Sequence, residues 1–336
     1  MDTLTHTVLG AAAGEALLGN KLGKKAMLWG ALFSNLPDID VVSNLFMHPV
    51  DALLAHRGFT HSFTFALLLI PLFSYWFMRI FKRYNTSYSD WLKLIGITWI
   101  SHLLIDSLTS YGTGWFEPFS HIRVSFNTIF VADPIYTLPL LISTVALLFL
   151  NIKSKRRKAW SYAGITISSL YLVFTFATKI HVDSVIEESM KKQNLSYKEL
   201  MTTPTPLNAI LWNSIAKTDK GYWIGFYSLL DKNKNVNFYY ADRNDSLVKD
   251  ELNTERGKKL IRFSQDYYCI TQKDSINYFH DLRFGQFDGW NKPDAPFTFS
   301  YRLGQDKEGE VFLQRRRFQG TVSELFSSLM ERIKGR

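Results

Sequence analysis

HRGFTHSFTFALLLIPLFSYWFMRIFKR, residues 56–83, places a polar cluster, an apolar run and a basic patch end to end. His56, Arg57, Thr60 and His61 open it, and Arg79, Lys82 and Arg83 close it. Between them, residues 62–81 supply the roughly 20 apolar residues that a helix needs to span a bilayer. Two further runs have that length, 91–111 and 160–180, and a fourth, 134–152, is interrupted only by Pro139. Two shorter runs come first, 8–19 and 26–36. They are either longer helices with polar ends or a partly inserted helical hairpin. The mean hydropathy of −0.06 hides this pattern, because nearly all the long apolar runs lie before about residue 181 and a mixed polar and aromatic sequence follows.

The net charge of +9 invites a nucleic-acid reading, but its placement argues against one. Up to residue 181 there are about 15 Lys and Arg against 9 Asp and Glu, and after it about 24 against 21. The early excess sits in the connections 20–25, 79–90 and 151–158, which hold about 11 basic residues. The intervening segments 1–5, 43–61 and 110–132 hold two, Arg57 and Arg123. By the positive-inside rule the basic loops are cytoplasmic. The N-terminus, the 43–61 and 110–132 loops and everything after residue 181 then lie outside. The run Arg315-Arg316-Arg317 reads as a solvated strand or turn, and no nucleic-acid partner is expected. The start, Met1-Asp2-Thr3-Leu4-Thr5, has no positive n-region, so no cleavable signal peptide is expected. The single Cys269 rules out an internal disulfide.

After residue 181 the pattern changes. Residues 182–203 read as helical, and the Thr-Pro-Thr-Pro run at 203–206 breaks the chain. Strand-like alternation follows at 222–230, 236–240, 276–284, 296–303 and 311–318, with helices near 246–265 and 321–334. The expected fold class is a polytopic α-helical membrane domain, residues 1–181, followed by a soluble α+β domain with a mainly antiparallel sheet, residues 182–336.

Four polar clusters are embedded in the apolar half: Asp2-Thr3-Leu4-Thr5-His6, Leu36-Pro37-Asp38-Ile39-Asp40, the His56–Ser62 segment, and Ser101-His102-Leu103-Leu104-Ile105-Asp106. Ionisable groups at membrane depth are costly and mark function. Helical hairpins bring the four together. The first run leads from His6 to the basic turn at 21–25, and the second returns to Asp38 and Asp40. His61 opens a helix descending to Arg79, and the helix from Trp91 climbs back to His102 and Asp106. At about 1.5 Å per residue all four clusters reach one level. His102 and Asp106, four apart, share a helix face. Imidazole with carboxylate is the ligand set of hydrolytic zinc, manganese or iron centres, whereas calcium and magnesium prefer all-oxygen shells. No Gly-x-Ser-x-Gly elbow and no His-Glu-x-x-His helix is present.

Each piece has a plainer reading. A lone helical histidine usually packs against a hydrogen-bond partner. Asp38 and Asp40 can cap a helix after Pro37, and Asp106 can pair with Arg57 or Arg123. Six of the eight histidines, however, fall in segments assigned to one membrane end, which favours a metal site. His48 and His121 lack a repeating partner pattern and read as exposed loop residues. Glu15 reads as facing the cytoplasmic end or a helix contact, not as a ligand.

The early His6, Leu-Pro-Asp-Ile-Asp at 36–40, His-Arg-Gly-Phe-Thr-His-Ser at 56–62 and Ser-His-Leu-Leu-Ile-Asp-Ser-Leu-Thr at 101–109 resemble the YdjM-like family of inner-membrane metal-dependent hydrolases, sometimes labelled LexA-binding. The likeness covers about residues 1–135. Thr-Pro-Leu-Asn-x-x-Leu-Trp at 205–212 and Gly-Tyr-Trp-Ile-Gly-Phe-Tyr-Ser-Leu-Leu-Asp at 221–231 are similar to a longer branch of that family. The resemblance implies His6, Asp38 or Asp40, His61, His102 and Asp106 as ligands, with His56 a ligand or a partner of one. Asp40 and Arg57 are the candidate catalytic residues, Arg57 binding a phosphate or orienting a carboxylate. The LexA association does not carry over, because the site faces away from the cytosol in this topology. The expected protein is a zinc-dependent hydrolase of the bacterial inner membrane acting on a lipid-linked or phosphate-ester substrate. A metal-stabilised scaffold or regulator is the alternative, and a transporter would need a polar path beyond Glu15.

The charge bias has a direct test. With Cys269 replaced, Ser154→Cys is expected to resist an impermeant thiol reagent in intact cells. Asn233→Cys is expected to react once the outer barrier is opened. Reversed labelling refutes the orientation.

Overall fold

The computed structural model describes residues 1–303, 312–314 and 320–336. Its contacts divide the chain into two units, Met1–Ser43 with Ala55–Thr175, and Asn44–Leu54 with Phe176–Arg336. A helical N-terminal region precedes a C-terminal region of two antiparallel sheets, the fold class expected from hydrophobic patterning.

In the first unit α1 (Thr3–Leu22) begins where the Asp2 side chain accepts from the Thr5 N–H at 3.0 Å, and ends at Gly23, whose φ of 58° suits glycine. It turns back into α2 (Lys25–Asn35). The two helices meet backbone to backbone. A Cβ on Gly10 would lie 2.4 Å from the Gly30 carbonyl oxygen, one on Gly14 2.1 Å from that of Ala26, and one on Gly30 2.0 Å from that of Gly10. Gly10 and Gly14 form the small-xxx-small spacing that permits such an approach. A 3₁₀ segment, Pro37–Leu45, carries Asp38 and Asp40 away from α2. Next come a 3₁₀ turn, Phe59–His61, and α4 (Phe63–Ile80), capped by Ser62; the short α3 (Pro49–Ala55) lies between.

Helix α5 (Tyr88–Ser107) starts in a capping box of Ser87 and Asp90. Its Trp91, Leu94, Ile95, Trp99 and Leu103 are buried in the unit's core beside Phe33, Ala66 and Ile70. Helix α6 (Pro134–Phe149) is capped by Asp133. Helix α7 (Arg156–Lys192) contributes residues to Thr175 to this unit. There Glu15 forms a buried two-point ion pair with Arg157, Nε to Oε1 at 2.7 Å and Nη2 to Oε2 at 2.6 Å. The intrahelical acid is a helix contact.

Two of the four expected spans coincide with helices of spanning length and apolarity. Among the described residues, Phe63–Ile80 and Arg156–Lys192 are the helices long and apolar enough to cross a membrane by length and composition. The helix in the 91–111 run stops at Ser107, and its Trp-rich face is buried in the unit's core. The 134–152 run forms a helix of 16 residues, shorter than a span. The 8–19 run extends to a 20-residue helix with polar ends.

In the second unit β1 (Glu199–Pro204), β2 (Leu211–Lys217), β3 (Gly221–Ser228) and β4 (Phe238–Asp242) form one antiparallel sheet in sequential order. The others, β5 (Tyr268–Lys273), β6 (Ile276–Gln286), β7 (Phe297–Leu303) and β8 (Phe312–Gln314), form the other. The helix read over 182–203 is the continuation of α7 to Lys192, and its last residues are strand β1. The 246–265 helix is two, α8 (Lys249–Asn253) and α9 (Glu255–Phe263), divided at the Thr254 cap. Helix α10 is Val322–Ile333. The Arg315-Arg316-Arg317 run and the ends of the 311–318 strand lie outside the described residues. Val50 of α3 is buried with Val248, Leu260, Phe279 and Tyr301, so a segment from the 43–61 loop supplies core to this unit.

The glycine contact gives a stability test. Gly30→Val forces the two helix backbones apart and is expected to cost about 1–3 kcal/mol, read as a lower melting temperature in detergent. Gly96→Ala is the control. Its Cβ meets nothing closer than Ile70 Cγ2 at 3.7 Å, so stability is expected to be unchanged or higher.

Candidate metal centre

Four residues converge from three elements. Asp38 comes from the 3₁₀ segment after Pro37, His61 from the turn before α4, and His102 and Asp106 from one face of α5. One ligand atom from each lies within 4.8 Å of the others. His61 Nε2 is 3.0 Å from His102 Nε2, 3.3 Å from Asp38 Oδ1 and 3.4 Å from Asp106 Oδ2. His102 Nε2 is 3.5 Å from both of those oxygens. His61, His102 and Asp106 are completely buried, and the Asp38 side chain is 18% exposed.

The surroundings fix which atoms face inward. His102 Nδ1 is 2.6 Å from the Ser34 carbonyl oxygen and can only donate there, which leaves Nε2 as a lone pair. His61 Nδ1 lies 3.2 Å from Asp40 Oδ2 and 3.0 Å from Thr60 Oγ1, while Thr60 Oγ1 donates to the same Asp40 oxygen at 2.7 Å. The proton on His61 Nδ1 therefore points at Asp40, the carboxylate–histidine arrangement typical of metal sites. With both rings neutral, as metal binding requires, two imidazole lone pairs and two carboxylate oxygens face one space. A tetrahedral ion at about 2.0–2.1 Å from its ligands has edges of about 3.3–3.4 Å. The observed separations bracket that value, so the residues fit a metal ion.

Electrostatics favour positive charge at this point. Burial opposes the charged form of His61, but Asp106, Asp38 and Asp40 outweigh it and raise its pKa to about 10. Burial likewise opposes ionised Asp38, and the His102 and His61 rings reverse this, holding its carboxyl well below the usual range. Asp40 is held low in the same way, against burial, by His56 and His61.

The remaining sequence candidates surround the four. His6 stacks on His102 with ring centroids 3.8 Å apart and places Nε2 3.0 Å from Asp106 Oδ1. Its buried Nδ1 has no hydrogen-bond partner among the described residues. His56 Nδ1 meets Asp40 Oδ1 at 2.9 Å, and Asp38, Asp40 and His56 form a second grouping. Arg57 is buried, with Nε 2.9 Å from Asp106 Oδ2, close enough for an ion pair but not aligned as a hydrogen bond. Its Nη1 donates to Thr109 Oγ1 at 2.8 Å, and its guanidinium lies over the Tyr111 ring. Arg57 reaches this position with φ at 58°, a conformation uncommon outside glycine and concentrated at functional sites. The Met1 amino group also contacts Asp106. Arg123 instead donates to the His56 and Gly112 carbonyls. His48, in the other unit, accepts from the Val50 N–H, and exposed His121 pairs with Glu117. Sequence reasoning missed the Ser34 carbonyl, Thr60 and Tyr111. Thr60 stood inside a quoted motif, but a backbone carbonyl leaves no residue-type signal.

The architecture and the site together define a helical protein with apolar helices of membrane-spanning length and a buried histidine–carboxylate cluster able to hold a metal ion. The chain belongs to the YdjM inner membrane protein family, whose family model matches residues 1–182. It is 33% identical over 122 residues to inner membrane protein YbcI of Escherichia coli (strain K12), covering 36% of this chain and 69% of that protein. No solved structure matches it. The family supports a location in the inner membrane.

The geometry separates ligands from bystanders. His102→Ala and Asp106→Ala are each expected to purify without stoichiometric metal, measured by mass spectrometry of the metal content. His48→Ala and His121→Ala are expected to retain it. Metal retained by the first pair rejects the site.

Proposed function

We propose that the protein is a membrane-bound, metal-dependent hydrolase acting at the outer membrane–water interface, with zinc held by Asp38, His61, His102 and Asp106. The observation that carries this reading is the set of four ligand atoms within 4.8 Å of one another, five of their six pairs at 3.0–3.5 Å. Mixed imidazole and carboxylate ligands suit zinc. A divalent metal there supplies Lewis acidity toward a phosphoryl or carbonyl oxygen.

The chain's own residues supply the rest. Asp40 and Thr60 hold the His61 ring, and the Ser34 carbonyl holds His102. Arg57 forms an ion pair with Asp106 and is itself held by Thr109 and the Tyr111 ring. Access runs past Asp38 and His56, whose side chains are 18% and 24% exposed. In this reading the edge lies on the outer face, at headgroup depth, in a multi-pass arrangement with residues 182–336 outside, and the loop charge bias supports it. A lipid-linked or phosphate-ester substrate fits that position.

One observation favours a second reading, a metal-stabilised scaffold or regulator. Four protein ligands, three of them fully buried, resemble a closed structural site more than an open catalytic one. The test is zinc-loaded full-length protein in detergent, given aryl phosphate mono- and diesters and phospholipid micelles. Turnover is expected, with loss in His102→Ala. Arg57→Ala is expected to weaken metal affinity about 10–100-fold, as removal of a ligand's support typically does. Fully loaded protein inert on every substrate leaves the scaffold reading.

A further inference from the structure

The second unit contains a cleft of about 450 Å³, within the size range of about 300–1,000 Å³ typical of small-ligand sites. The metal chemistry does not use it. Its apolar side is aromatic, with Phe226 and Trp290 joined by Phe238 and Tyr239. The Trp290 indole N–H donates to Ser328 Oγ at 2.9 Å, which fixes the ring.

Three carboxamides also line the cleft. Asn233, Asn235 and Asn237 alternate along the chain just before β4 and all line the cleft, while Val236 between them is 3% exposed and turns inward. All three amides line one space. The Asn233 side-chain Oδ1 accepts from the Asn235 backbone N–H at 3.0 Å. The side chains of Asn235 and Asn237 have no hydrogen-bond partner among the described residues. Both are exposed, and each carries a donor and an acceptor in fixed relation.

Charge in the wall is largely settled internally. Asp231 is clamped by Arg332 at 2.7 and 2.8 Å. Arg336 donates from Nη2 to Asn291 Oδ1 at 2.7 Å and to the Trp290 carbonyl at 3.2 Å. Among the described lining residues Arg336 is the one cation not clamped by a carboxylate, so a dianionic ligand is poorly matched, and an apolar one would strand the amides. The matching chemistry has vicinal hydroxyls, each pair able to donate to and accept from one carboxamide, and C–H faces that lie on aromatic rings.

We propose that this cleft binds a short saccharide, with hydroxyls on Asn235 and Asn237 and a ring face on the aromatic side. The inference rests on the second unit alone and stands or falls independently of the metal centre. The test uses full-length protein in a detergent without a sugar headgroup, since a maltoside would compete. It is screened on an array of neutral and uronic-acid oligosaccharides, and the best binder is titrated by calorimetry. Binding is expected, and Asn235→Ala/Asn237→Ala is expected to weaken it at least tenfold with melting temperature and metal content unchanged. Both residues are exposed, so the fold does not depend on them. Binding of the uronic-acid members above the neutral ones would assign an acidic substituent to Arg336. No binding to any array member overturns the proposal, as does full affinity in the double variant. Loss of binding with a lowered melting temperature is resolved by Asn235→Gln/Asn237→Gln, which keeps the amide chemistry and should restore at least part of the affinity. Failure of that variant to bind while folded also overturns it.

Discussion

Two imidazole nitrogens and two carboxylate oxygens, all within 4.8 Å of one another and three of the four on fully buried side chains, repel unless positive charge lies among them. Burying an uncompensated ion costs several kcal/mol even after relaxation. Much of the first unit serves this constraint. The α1–α2 hairpin brings Ser34 against His102 and ends where Pro37 turns the chain to present Asp38. Arg57 takes a left-handed backbone conformation to bring its guanidinium to Asp106. The 3₁₀ turn before Ser62 aims His61 inward at the point where α4 begins.

The cluster was readable because its signals are local and chemical. His102 and Asp106 are four apart on one helix, and histidines between apolar runs are costly enough to stand out. Pairing Asp106 with Arg57, one of the plainer alternatives, also occurs, and the two arrangements coexist around one carboxylate. Periodicity could not distinguish lipid from core. The face with Trp91, Trp99 and Leu103 is as apolar as a span, but it packs against protein. The same ambiguity joined 182–192 to the following strand residues, since charged residues on α7 suggested an amphipathic helix without marking its end. Strands β1, β2 and β5 escaped notice because their residues are buried on both faces or carry mixed polarity, so a period of two is weak.

Long-range packing left fainter traces. Gly10 and Gly14 announce a close helix approach only when Gly30 is known to face them. Val50 sits in a loop by sequence yet fills the core of the sheet-bearing unit. The basic loop at 151–158 shows how one residue can serve two ends. Arg157 counts toward the charge bias, yet its guanidinium is buried on Glu15 and on the Leu147 and Leu150 carbonyls at the end of α6. It neutralises the buried Glu15 and satisfies helix-end acceptors together. The bias rests on the other basic residues of that loop.

Catalysis and scaffolding differ at Asp38. His61, His102 and Asp106 are each locked by a partner, through Asp40, Ser34 and Arg57 respectively, and none is exposed. Asp38 sits on a 3₁₀ segment, retains some exposure and belongs both to the inner grouping and to the outer one with Asp40 and His56. A purely structural site gains nothing by leaving one ligand partly in water, where solvent competes for it. A catalytic site needs a coordination position that can be vacated. Three fixed ligands with one accessible carboxylate match that second requirement. The hydrolase reading therefore turns on whether Asp38 can yield its place to a substrate while the other three hold.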